Sequence, residues 1–212
     1  MTTLIAGAAL KAGVAKADIT PPVGQRMWGF AARGSPATGT LDPLLARVLV
    51  LEVGEKRLAL VALDLGRPFG PASLERLREG AKKSSGISYV LVVASHTHSG
   101  PVIKDEYPPG STPPWESITI EKIARAIDTA HEQAAEARLG TGYGIAYISH
   151  NRRRVNPDGT ITWFDRNLTR IPTSPVDPTV SVLRVDTSEG QPLAILVNYA
   201  CHPVVFGADN LK

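Results

Sequence analysis

Two histidines one residue apart close an aliphatic run in residues 90–101, VLVVASHTHSGP, and they are two of only five in the chain. In a β-strand the side chains at i and i+2 point to one face. A strand running through His98 therefore aims His96 and His98 the same way and turns Thr97 to the other side. Two imidazoles so aimed present nitrogens to one cation. A catalytic zinc takes such nitrogens at ~2.0–2.1 Å and uses three protein ligands. The pair alone fits equally well two polar residues bonding to loops at a strand end. A second segment repeats the grammar: residues 193–203, LAILVNYACHP, run apolar into His202 and then Pro203. Imidazoles delivered by two strand ends favour a metal site made of His96, His98 and His202.

The remaining chemical side chains divide as follows. Cys201 adjoins His202, and in a continuing strand neighbours face opposite ways, so it is expected to be a small buried cysteine rather than a ligand. His131 falls on the apolar stripe of a helix and reads as a hydrogen-bonded residue at the core boundary. His150 precedes Asn151-Arg152-Arg153 at an expected strand end and is assigned a supporting or structural part. Asp64 closes the apolar stretch LVALDLG, where a carboxylate needs a partner. An arginine, a backbone group or a metal-bound imidazole would each serve.

The elements that must hold these residues are mostly strands. GVAKADIT (13–20) stops at Pro21-Pro22, while ARVLVLEV (46–53) and RLALVALDL (57–65) flank a polar GEK and predict a hairpin inside a sheet. Helical spacing of Leu74, Leu77 and Ala81 predicts a helix over 71–84, ending at Ser85-Gly86. A strand is expected over 87–98. A longer helix is expected over 117–138, its stripe formed by Ile120, Ile123, Ala124, Ile127 and Ala134. YGIAYISHNRR (143–153) reads as a strand, NPDGT as a turn, and TVSVLRVD (179–186) with residues 192–202 as a closing hairpin around TSEGQ. Alternating strands and helices with hairpins at both ends predict an α/β (α+β) fold. Its mixed sheet is layered with helices and its metal site lies at strand ends. Residues 1–212 are read as a single domain.

Composition narrows the function classes. Hydrophobic residues make up 43% and charged residues 20%, and 23 basic against 20 acidic side chains leave a formal charge of +3. NRRR (151–154) is the longest basic block, so no nucleic-acid surface is indicated. No apolar run approaches the ~20 residues that cross a bilayer. The opening MTTLIAGAAL has no basic residues ahead of its apolar patch, and the expectation is a soluble protein, cytoplasmic rather than secreted. A single cysteine excludes an internal disulfide. Nothing in the sequence sets the oligomeric state.

In order along the chain, GVAKADITPP, ASHTHSGP, HNRR and VNYACHPV resemble the neutral/alkaline non-lysosomal ceramidase family, from about residue 13 onward. HTHSGP is the most specific of these motifs. The resemblance implies a zinc amidase that cleaves the N-acyl bond of ceramide or a related N-acyl lipid. It implies His96, His98 and His202 as zinc ligands. Arg152 of the Asn151-Arg152 pair would orient substrate or steady the reacting carbonyl, with Asn151 in support; Asp64, by its own position at a strand end, is read as supporting a metal-bound imidazole or as structural. The family completes its zinc shell with a Glu and a Tyr farther along. GADNLK closes this sequence soon after His202, so the expectation is the N-terminal part of a longer catalytic domain, incomplete by itself. Other readings stay open. A metallo-β-lactamase relative would need Asp-His after the H-x-H, where Ser99-Gly100 stands, and a serine hydrolase would need an absent G-x-S-x-G elbow. An amidohydrolase barrel would need many more βα repeats. A catalytically silent binding module of the same fold remains the competitor from a different class.

Overall fold

The computed structural model describes residues 9–165, 168 and 175–212; the start of the apolar patch, MTTLIAGA, lies outside them. The chain divides into two compact units, one of residues up to 138 with 185–194 and 203–212, the other of 139–184 with 195–202.

The first unit is built on β1 (Leu10–Asp18), β2 (Leu45–Val53), β3 (Lys56–Leu63) and β4 (Tyr89–Ala94), in the sheet order β4-β3-β2-β1. β1, β2 and β3 pair antiparallel, and β2 and β3 form the expected hairpin with Val53 opposite Lys56. β3 and β4 run parallel, with Leu58 opposite Tyr89 and Leu63 opposite Ala94. The sheet is therefore mixed, as the α+β expectation requires.

A parallel pair needs a crossover, and α1 (Pro71–Ser85) supplies it. Pro71 opens the helix where no intrahelical N–H is needed, and Gly86 in the left-handed region closes it, its N–H meeting the carbonyls of Ala81 and Lys82. The longer helix, α2, spans Pro114–Glu132 and also packs on this sheet. Register places Ala46, Val48 and Val50 beside Ala59, Val61 and Leu63, and these beside Val90 and Val92, on one face. That face, Leu77 and Ala81 of α1, and Ile120, Ile123 and Ile127 of α2 form the core. α2 comes so close to β1 that a Cβ on Gly13 would lie 1.9 Å from the Ala130 carbonyl oxygen, which reserves that position for glycine.

Two expectations shift here. The helix ends at Glu132 instead of running to 138, and Ala134 lies past it; Ala126 and Ala130 complete the buried stripe. Residues 135–145 form a strand, β5 (Ala135–Ile145), because Ala135 and Glu136 pair with Ala12 and Lys11 of β1. Helix-forming QAAEAR yields to the ladder of the sheet edge.

In the second unit β5 continues, and the order is β5-β8-β9, with β8 at Thr179–Thr187 and β9 at Pro192–Tyr199. The hairpin turn between them is closed by Thr187 donating and accepting with Gln191 and Gly190, as TSEGQ suggested. A small antiparallel ribbon, β6 (Arg154–Val155) with β7 (Ile161–Thr162), brackets the NPDGT turn. Among the described residues no helix is long and apolar enough to cross a membrane.

Candidate metal centre

β4 ends at Ala94, two residues short of His96, so strand alternation does not aim the histidine pair. The turn is made by His96 itself, whose φ of +63° is the single positive value at a non-glycine residue among those described. Histidine enters this left-handed region more readily than branched residues, yet at a cost of about 1–3 kcal/mol that surrounding structure must offset. Hydrogen bonds on either side do so. Ser95 N–H donates to the Leu63 carbonyl at 2.9 Å, and Trp28 N–H to the Gly100 carbonyl at 2.8 Å. A β-bridge ties Met27 to Pro101.

The kink brings the two rings together edge to face, centroids 5.2 Å apart. Trp28 stands against both, at 5.0 Å from His96 and 5.2 Å from His98, and Phe30 meets His98 at 4.9 Å. Nδ1 of His96 lies 2.9 Å from the Gly66 carbonyl oxygen. A carbonyl only accepts, so Nδ1 carries the proton and Nε2 is the nitrogen set to ligate. His98 is buried. Its close packing depends on Gly29, whose φ is +105° and whose added Cβ would fall 2.4 Å from Cγ of His98.

His202 is exposed and lies beyond the end of β9, not on it. One ligating nitrogen each from His96, His98 and His202 lie within 4.8 Å of one another, a group able to hold a metal ion. The donor set suits zinc: imidazole nitrogens are among its preferred ligands, and three is the number its catalytic sites take from protein. Cys201 is exposed, which corrects the expectation of a buried cysteine: the strand has ended, so its alternation no longer places that side chain.

Other candidates have their own partners. Asp64 holds Arg47 through both carboxylate oxygens at 2.9 Å and accepts the Leu45 N–H at 3.0 Å. Those are an arginine and a backbone group, two of the three partners its position called for. It also lines, with Thr97 and His98, a cavity of about 380 Å³ whose wall includes Met27 and Phe206. His131 pairs with Glu52 at the edge of the core, as its place on the helix stripe suggests. His150 lies in an irregular stretch, not at a strand end. Asn151 accepts the Arg153 N–H at 2.9 Å and donates to the Pro175 carbonyl at 3.2 Å, a local turn that fixes the backbone around Arg152. The Arg152 guanidinium stacks over Phe164 at 4.7 Å. Sequence reading missed Arg33, a buried arginine beside the histidine turn; lying in an irregular glycine-rich stretch, it carried no periodic or motif signal.

The mixed α+β sheet thus has, past its strand ends, a group of imidazoles that could hold a metal ion. Residues 10–212 match the family model described as neutral/alkaline non-lysosomal ceramidase, N-terminal, and the chain belongs to this family. It is 27% identical over 196 residues to neutral ceramidase from Pseudomonas aeruginosa, covering 84% of this chain and 28% of that protein. It is 25% identical over 213 residues to neutral ceramidase from Mycobacterium tuberculosis, covering 91% and 32%. The chain thus spans less than a third of the length of these relatives. Two solved structures share its fold. A ceramidase complexed with C2 superposes with a TM-score of 0.71 at 24% identity, over 92% of this chain and 31% of the other. Neutral ceramidase from Pseudomonas aeruginosa gives 0.73 at 23% identity, over 96% and 34%.

Proposed function

We propose that this chain carries the zinc-binding part of an amide hydrolase that cleaves the N-acyl bond of ceramide or a related N-acyl lipid. The observation that carries the reading is the group of three imidazoles within 4.8 Å, in a chain whose relatives are named neutral ceramidases. Zinc bound there would lower the pKa of its water to ~7 and polarise the amide carbonyl.

The chain's own residues supply the setting. The Gly66 carbonyl accepts from Nδ1 of His96 and so orients the ring with Nε2 as its ligating nitrogen. Trp28 and Phe30 pack around the imidazoles and keep bulk water from their flanks, which strengthens charge interactions inside. His202 is the third ligand. Arg152, in the family's Asn-Arg motif, offers a fixed positive charge for the oxygen that gains negative charge as the amide is attacked. Asn151 shapes the turn that carries Arg152, and Asp64 braces the loop end through Arg47. We further propose that residues 1–212 act as one part of a longer catalytic unit, a reading supported by their match to less than a third of each relative.

Metal analysis by mass spectrometry on purified protein tests the reading. The expected result is about one zinc per chain, lost in the His96→Ala/His98→Ala double variant. Native protein without stoichiometric metal overturns it.

A further inference from the structure

The buried guanidinium of Arg33 is the feature the zinc reading leaves unused. Arg33 is only 7% exposed. Its Nη1 donates to the backbone carbonyls of His98 at 2.7 Å and Trp28 at 3.0 Å. Nε donates to the Ala208 carbonyl at 3.3 Å and Nη2 to that of Gly207 at 3.4 Å. Its carbon lies over the Phe30 ring at 4.9 Å, and Phe30 in turn packs edge-on against the imidazole of His98. One side chain therefore fastens three separated stretches of chain: residues 28–30, the histidine turn, and 207–208.

The chemistry explains why this must be an arginine. Burying a full positive charge is costly without several acceptors, and burial here lowers the Arg33 pKa while nearby Asp209 opposes that shift. Four carbonyl oxygens around a planar fork answer the cost, and a lysine ammonium, with three donors on one atom, cannot span them. The cost is accepted where it holds a strained turn: the carbonyl gripped most tightly belongs to His98, two residues after the left-handed His96.

We infer that Arg33 is the positioning residue of the metal centre, locking the His96–His98 turn and the Phe30 ring into ligating geometry from behind. The inference rests on the zinc reading for its consequence, but not for its first test. In metal-free protein with ¹⁵N-labelled histidine, Arg33→Met should shift and broaden the imidazole signals of His98 while leaving those of His131 in place. Zinc affinity, measured by competition with a chromophoric chelator, should fall roughly 10- to 100-fold, the usual effect of losing a group that orients a ligand. Arg33→Lys keeps the charge and is the second variant should Arg33→Met not fold; it should show the same displaced His98 signals and weakened zinc binding. Unchanged His98 signals in Arg33→Met, or wild-type signals and affinity in Arg33→Lys, would overturn the inference. Wild-type protein that takes up no zinc while Arg33→Met still displaces His98 would sink the zinc reading alone and leave the positioning role standing.

Discussion

His96 reaches its neighbours by bending its own backbone, and the residues that tolerate or exploit that bend are small. Gly29 is the sharpest case, since φ of +105° and a virtual Cβ 2.4 Å from the His98 ring leave no room for any side chain. Gly29→Ala is expected to lose about 1–3 kcal/mol of stability in urea unfolding, the usual cost of forcing such a conformation. It should also weaken zinc binding, because the added methyl would push the packed His98 ring out of place. An unchanged unfolding midpoint and an unchanged zinc affinity would contradict the packing described. At the same scale, the H-x-H spacing was visible in the sequence but the reason it works was not. Alternation along a strand was the expected cause; a left-handed residue after the strand is the observed one.

At the scale of elements, the parallel step from β3 through α1 to β4 carries the histidine turn to the shared carboxyl ends of β3 and β4, the kind of position where parallel α/β sheets place their ligands. The helices serve this by filling one face. Ile127 of α2 is fully buried in that core, whereas Ile118 on the same helix is 51% exposed. Ile127→Ala should cost about 2–5 kcal/mol, and Ile118→Ala less than about 0.5 kcal/mol. Equal losses in chemical denaturation would show that α2 does not bury the stripe assigned to it. Helical periodicity identified both helices and the core positions Leu77, Ile120, Ile123 and Ile127. The end of α2 was not legible, because six good helix formers follow it and only the pairing of Ala135 with Ala12, distant in sequence, turns them into a strand.

For the whole molecule, the decisive quantity is coverage. The chain matches less than a third of each relative, and under the proposed function the rest of the zinc shell, the Glu and Tyr that the resemblance implies, would come from outside that part. Assayed alone with a fluorescent N-acyl substrate, these 212 residues should release little product even when loaded with zinc. Robust turnover would mean that the three imidazoles and Arg152 suffice. Apolar runs and motif order were enough to determine the mixed α+β class, the hairpins and the family, since these depend on local pattern and on short motif strings. What the tertiary structure decided was every feature set by distant partners: where α2 gives way to β5, how His96 kinks, which groups hold Asp64, and that Arg33 grips four carbonyls from three stretches of chain. A sequence states which side chains are present, but the partner that satisfies a buried charge or a strained backbone is chosen only when remote segments close around it.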